Sequence, residues 1–372
     1  PGWWRRRVWI HLAVGLATVG VAQLLLSRAF TAPGSHYPFD AKGLLAIGGF
    51  CAIGAALTRG SGDQRLLKMM FGAYATMAVV AYAVSSPLGG NAGRLLLFMG
   101  TPLILLPLAA RGFRPRGAAA LIVAATVSWQ TVPVMTGWSA TASARAPSRE
   151  FWFPVEAFLD RHADPSYRVE VVATSHTWEA YYLARRGVPL ARGWYRQDDW
   201  PENAALYKPL TIPGYHAWLR RMAVRYVLVP NDPLDTFTLG EVDRIRNGPG
   251  LDLAARVGGW SIYELRNPTP IATPRDGARV RTLTAKGLTL AVSRPGTYRL
   301  RLRYTPYWRV SRGVACVAPR GPFDTELRVA EAGTVRLDFR VGARTVVRTA
   351  LGAAGAPCDD SGRPAAVAQR AR

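Results

Sequence analysis

From Ala118 to Met135 the chain reads Ala-Ala-Ala-Leu-Ile-Val-Ala-Ala-Thr-Val-Ser-Trp-Gln-Thr-Val-Pro-Val-Met, without one formal charge. At ~1.5 Å per helical residue, such a run reaches about the 30 Å of a bilayer's hydrocarbon core. Four more apolar runs precede it: Val8 to Leu26, Ala41 to Leu57, Leu66 to Val84, and Leu95 to Ala110. The second and fourth are short for a full crossing, which leaves a tilted or re-entrant path open to either. Glycines and prolines inside the runs (Gly48, Gly49, Gly100, Pro102, Pro107) suit a helix bundle, where neighbouring helices satisfy the freed backbone groups. Beyond Met135 the text changes to short alternating runs, prolines, charges and aromatics. The expected fold class is a membrane α-helical bundle followed by an extracytoplasmic α/β plus β-sandwich domain.

Loop charges orient the bundle. Arg5, Arg6 and Arg7 precede the first run, Arg59, Arg65 and Lys68 flank the turn into the third, and Arg111, Arg114 and Arg116 precede the fifth. The alternate loops hold only Arg28, Lys42 and Arg94. The positive-inside rule then makes the dense loops cytoplasmic and places the C-terminal domain on the outer face of the cell membrane. The chain starts at Pro1 without an initiator methionine, so we expect a longer protein of which this is the C-terminal part. With 47 Lys+Arg against 24 Asp+Glu the formal charge is +23. The excess is spread along the chain rather than gathered in a stripe, which argues against nucleic acid as a partner and for an incidental basic surface to which anionic lipid is at most a contributor.

Five stretches follow from composition: transmembrane helices over 1–137, a linker over 138–150, an α/β subdomain over 151–268, a β-sandwich over 269–350, and a tail over 351–372. Glu150 to Leu159 mixes aromatics with helical spacing and is expected to lie along the membrane interface. Tyr167 to Ala173, Val224 to Val229 and Trp260 to Leu265 read as strands; Thr177 to Arg186, His216 to Met222 and Thr238 to Arg246 read as helices. From Ile271 onward the period becomes two. Tyr298, Leu300, Leu302 and Tyr304 alternate with Arg299, Arg301 and Arg303, as do Val335, Leu337, Phe339 and Val341 with Arg336, Asp338 and Arg340. The arginine row is either a solvated sheet face or a grip for phosphate or acidic glycan. Cys51 sits in an apolar run as a small hydrophobe, while Cys316 and Cys358 fall in the outer domain, where a disulfide between them is expected.

The chemistry-bearing residues concentrate between positions 175 and 207. Trp178, Trp194 and Tyr207 offer rings that stack on sugars, and Arg192, Arg196, Gln197, Asp198 and Asn203 offer directional hydrogen bonds to hydroxyls. Glu179, beside Trp178 at a helix start, is the candidate acid or base. The competing reading is a buried hydrogen-bond network. Arg94, opening the fourth run at its outer end, is either an interface anchor or a guanidinium for a lipid phosphate. His36 and Asp40 lie in the first outer loop, where Asp40 is a lone carboxylate. His176 and Glu179 have an i, i+3 spacing without a third ligand, so no metal site is expected, and no cofactor motif is evident.

Four segments carry a family resemblance: Leu-Ala-Arg-Gly-Trp-Tyr-Arg-Gln (190–197), Val-Arg-Tyr-Val-Leu-Val-Pro (224–230), Trp-Ser-Ile-Tyr-Glu-Leu (260–265) and Tyr-Thr-Pro-Tyr-Trp-Arg-Val (304–310). With the multi-pass bundle, they resemble the C-terminal half of actinobacterial membrane proteins of the 6-pyruvoyl-tetrahydropterin-synthase-related type. Those are similar to C-type glycosyltransferases, which take sugars from polyprenyl-phosphate carriers at the outer membrane face. Pterin chemistry does not follow, because the zinc histidines of a pterin synthase are missing from the text. The resemblance implies partners in the bilayer, a polyprenyl-phosphate sugar and an envelope glycan, with Arg94 near the carrier phosphate. The catalytic acid of such enzymes lies in the first outer loop, which falls upstream of Pro1, so none is carried over. A non-catalytic, membrane-anchored protein that binds glycan or a partner is the alternative, and a transporter or flippase component is the third.

Overall fold

The computed structural model describes residues 2–30, 34–58, 62–352 and 358, apart from the side chains of residues 2–7, 9, 12, 63, 140 and 198. Five helices open the chain: α1 (Gly2–Phe30), α2 (Ala41–Leu57), α3 (Asp63–Ala83), α4 (Gly93–Ala110) and α5 (Arg116–Ala142). Four of them are long and apolar enough to cross a membrane, while α2 is a shorter apolar helix. All five apolar runs of the sequence are therefore helical. Contacts sort the chain into two compact units, one of residues 33–144 with 195–201, the other of 1–32, 145–194 and 202–372.

The first of these units is a bundle of α2 to α5 around Ile47, Phe50, Cys51, Leu67, Phe71, Tyr74, Leu96, Ile104 and Leu108. Gly54 explains how closely α2 and α3 pack, since a Cβ there would lie 2.4 Å from the Phe71 ring. Polar side chains inside the bundle close helix ends. Tyr74 donates its hydroxyl to the Ala92 carbonyl at 2.9 Å and accepts from the Leu96 amide at 3.0 Å, at the start of α4. Arg111, counted above only as a loop charge, donates to the carbonyls of Leu57 (2.8 Å) and Ala56 (2.9 Å) and so caps α2. Outward, Leu45, Phe98, Leu121, Val134, Met135 and Trp138 are exposed, an apolar surface suited to lipid rather than water.

The other unit holds two subdomains. In the α/β part, β1 (Arg168–Val171), β2 (Val224–Pro230), β3 (Leu251–Val257) and β4 (Trp260–Leu265) form a sheet in the order β1-β2-β4-β3, with β1 and β2 parallel and the remaining pairs antiparallel. Helices α6 (Phe153–His162), α7 (Glu179–Arg185), α9 (Ile212–Arg221) and α10 (Leu239–Asn247) belong to this unit; α8 (Arg196–Asn203) runs from the bundle unit into it. Strand β3 was not legible, because its residues lie on an exposed edge with Leu253 open to solvent. The expected interfacial helix is corrected. Phe151, Trp152, Val155, Phe158 and Leu159 are buried against Leu228, Trp260 and Ile262, so these aromatics form protein core.

The β part runs through β5 (Ala272–Thr273), β6 (Ala278–Thr284), β7 (Gly287–Val292), β8 (Gly296–Leu300), β9 (Trp308–Arg312), β10 (Ala315–Arg320), β11 (Asp324–Val329) and β12 (Gly333–Phe339). They make two antiparallel four-stranded sheets, β10-β11-β8-β5 and β6-β7-β12-β9. Val280, Leu290 and Leu337 of one sheet and Tyr298, Leu300 and Leu327 of the other share a single core, as period-two alternation requires. Strand β8 ends at Leu300, four residues short of the alternating run. There the Arg301 amide turns to the Ile271 carbonyl at 2.8 Å. A last helix, α11 (Ala343–Ala350), follows β12. Cys316 and Cys358 are disulfide-bonded with Cα atoms 5.4 Å apart, tying β10 to a position 42 residues later. The rest of the tail beyond residue 352 lies outside the described residues.

Candidate functional site

Strand β1 carries Glu170 in the middle of an apolar run, and a buried carboxylate demands a partner. It finds Arg192. That guanidinium donates to Glu170 Oε1, to the Val171 carbonyl at 2.9 Å and to Glu241 Oε1 at 2.8 Å, and it lies 5.8 Å from the Trp218 ring centroid. Glu241 comes from the first turn of α10, and Tyr215 of α9 lies beside it. Burial raises the Glu241 carboxyl and the Tyr215 phenol. Burial alone would lower the Arg192 guanidinium, but the two carboxylates raise it well above its usual value. Burial pushes the Glu170 carboxyl up to about 8 against the attraction of Arg192. One guanidinium faces two buried carboxyls, an arrangement that favours the protonated form of one of them.

Glu179 belongs to the same interior. Thr174 donates both its hydroxyl (2.8 Å) and its amide (3.2 Å) to Glu179 Oε2, and the Thr174 hydroxyl accepts from the Trp178 amide at 2.9 Å. This closes the turn between β1 and α7, in which Thr177 takes a left-handed φ of 54°. Burial raises the Glu179 carboxyl. Trp178 packs on the α/β core, Asn203 is buried and accepts from the Trp218 indole at 3.2 Å, and Tyr207 stands edge-on to Phe237. Each of these residues meets its own neighbour within the folded unit. Trp194 is 68% exposed and His176 is exposed.

The rest of the stretch goes with the helical bundle. Residues 195–201 group with that unit, where the Gln197 carbonyl accepts from the His36 amide at 3.0 Å and Trp200 meets the His36 ring edge-on at 4.9 Å. Gln197 is buried, Arg196 is half-buried, and the side chain of Asp198 lies outside the described residues. Asp40 is the N-cap of α2, accepting from the Gly43 amide at 2.8 Å. Arg94 is exposed in the first turn of α4. In the β part the arginine row is bonded to the protein. Arg299 pairs with Asp324 at 2.7 Å, Arg301 donates to the Pro270 carbonyl at 3.0 Å, and Arg303 binds Glu202.

What the structure adds is a cleft of about 430 Å³ at the start of β1 and β2, walled by α6, the turn after α7 and the end of β6. Leu159, Val188 and Leu283 supply an apolar floor. Around it stand polar forks: Arg186 to Asp160 at 2.6 Å, Arg225 to Glu264 at 2.8 Å with its guanidinium 4.9 Å from the Tyr226 ring centroid, and exposed Arg281. Arg168, also in the lining, donates to the carbonyls of Met222 (2.7 Å) and Arg301 (2.9 Å); burial lowers it to about 10, so it stays charged at neutral pH. Lining residues come from positions 159 to 284, so sequence proximity gave no signal. Among the described residues no three His, Cys, Asp or Glu side chains gather as a metal cluster.

No family model, curated protein or solved structure matches this chain.

Proposed function

We propose that this chain is a multi-pass membrane protein whose folded domain stands outside the cytosol and binds a cell-envelope saccharide in the Arg186–Arg225–Arg281 cleft. The observation that carries this reading is the cleft's mixture of arginine side chains, two of them paired with carboxylates, and apolar lining residues. Sugars present both kinds of surface, hydroxyls that take planar donors and acceptors and C–H faces that take hydrocarbon. The volume suits a ligand of one or two sugar rings. Glu179, spent on Thr174, is not needed for binding.

Titration calorimetry on the full chain in nanodiscs, with oligosaccharides released from envelope polysaccharide, tests this. Arg281→Ala and the cleft-filling Thr282→Trp should each weaken binding about tenfold, the loss of one charge-assisted hydrogen bond or of the ligand's space. Glu179→Gln should leave affinity unchanged in whatever fraction folds. Wild-type affinity in both cleft variants would refute the proposal.

A second reading, transfer of a sugar from a polyprenyl-phosphate carrier, is favoured by Arg94 and by the resemblance to C-type glycosyltransferases. Its guanidinium is exposed at the head of an apolar helix, where a carrier phosphate would sit. Membranes carrying Arg94→Ala should then lose transfer from a labelled lipid-linked sugar while protein levels hold. Normal transfer would remove this reading.

A further inference from the structure

Helix α1 ends against the β part of its own unit. The Tyr307 hydroxyl donates to the Ala29 carbonyl at 2.9 Å, and its ring stacks on Phe30 with centroids 5.6 Å apart. Phe339, closing β12, meets the same Tyr307 at 5.7 Å. Helix α11 packs along α1 and is pinned to β9 by Arg309, which donates to the Thr345 hydroxyl at 2.9 Å. At 100° per residue, Val346, Val347, Ala350 and Leu351 share one side of α11, while Arg344, Arg348, Thr345 and Thr349 share the other. Among the described residues the apolar side is covered only in part: Val346 and Ala350 are half-buried, while Val347 is 57% and Leu351 72% exposed, with Val341 and Phe30 also open. Exposed basic residues flank it, Arg28 in the last turn of α1, Arg340 and Arg344. Among the described residues, Asp338 pairs with Arg340 at 3.3 Å and with Arg336 at 2.9 Å.

An apolar stripe bordered by arginines, joined to the end of an apolar helix, matches the chemistry of a bilayer's interface. Acyl chains take the stripe and anionic headgroups take the guanidiniums. We infer that α11, with Phe30 and Val341, is a docking surface for anionic phospholipid, holding the β part flat against the membrane that α1 enters. This rests on the reading that α1 crosses a bilayer, which its apolar segment Ala13–Phe30 supports. The surface would set the height and tilt of the folded domain over the lipid.

The test uses the full chain in nanodiscs of phosphatidylcholine, with or without phosphatidylglycerol, with some lipids brominated in the acyl chains. A fluorophore is placed singly at Leu351→Cys, Val14→Cys or Arg275→Cys in a Cys51→Ala background, with the 316–358 disulfide kept oxidised. Position 14 reports the α1 crossing, and position 275, in the turn between β5 and β6, reports solvent. We expect quenching at 14 in every disc, quenching at 351 in the anionic discs, and none at 275. Arg340→Glu with Arg344→Glu should cut the quenching at 351 by roughly half or more, since each basic residue near an anionic surface adds about fivefold to its attraction. If 351 behaves like 275 while 14 is quenched, the docking surface is refuted and the crossing stands. If 14 is not quenched, the crossing fails and the docking surface with it. Equal quenching at 351 in neutral and anionic discs, unaffected by charge reversal, would refute an anionic partner.

Discussion

Glu170 sits in mid-strand on β1, and its carboxyl, pushed up to about 8 by burial, shares one guanidinium with Glu241. A carboxyl raised in the folded state binds protons more tightly there than in the unfolded chain, whose value is near 4.5. Its contribution to stability is thus fully present below about 4.5 and is lost as pH rises through about 8. Melting temperatures of the full chain should therefore fall across that window, and Glu170→Gln, which keeps the neutral form, should flatten the fall. An unchanged slope would mean Glu170 is ionised in the fold. Arg192 and Glu179 stand out in the sequence, but nothing there assigns either its partner. A charge inside the run Arg-Val-Glu-Val-Val signals a buried pair, yet the partners Arg192 and Glu241 stand 22 and 71 residues further on, where no spacing rule reaches. Of the residues read as a saccharide pocket, Trp178, Arg192 and Asn203 are occupied by interior contacts, a matter only packing decides.

Among the elements, long apolar helices and two-periodic strands were legible because their patterns repeat over many residues. Some of the short ones were not. Helix α11 is eight residues of Ala, Arg, Thr and Val, half of them β-branched, a composition that by itself favours a strand. Helix α6 was found, but its environment was misread, since Trp and Phe at helical spacing serve an interface and a core equally well. The disulfide needed no periodicity, only two cysteines in the same folded domain. Closing a loop of 42 residues contributes about 4 kcal/mol in the chain-entropy model. Cys358→Ser should accordingly lower the melting temperature of the full chain by several degrees and abolish any further effect of reductant. A melting curve unmoved by the substitution would show that the bridge constrains little.

At the level of the whole molecule, the orientation inferred from loop arginines predicts that Trp194→Cys, at an exposed position, reacts in intact cells with a maleimide that cannot cross lipid. Protection of that thiol until the cells are opened would place the folded domain in the cytosol, and the envelope saccharide would no longer be its ligand. Residues 1–32 group with the folded domain and residues 195–201 with the helical bundle, an exchange that no composition shift marks. Apolar length and alternation act locally and strongly, and they determined where the long apolar helices and the sandwich strands fall along the chain. The cleft, the pairing of Glu170 with Arg192, and the docking of α1 on Tyr307 were decided by tertiary structure alone. Each joins residues far apart in the text, and which of them meet depends on how whole elements pack.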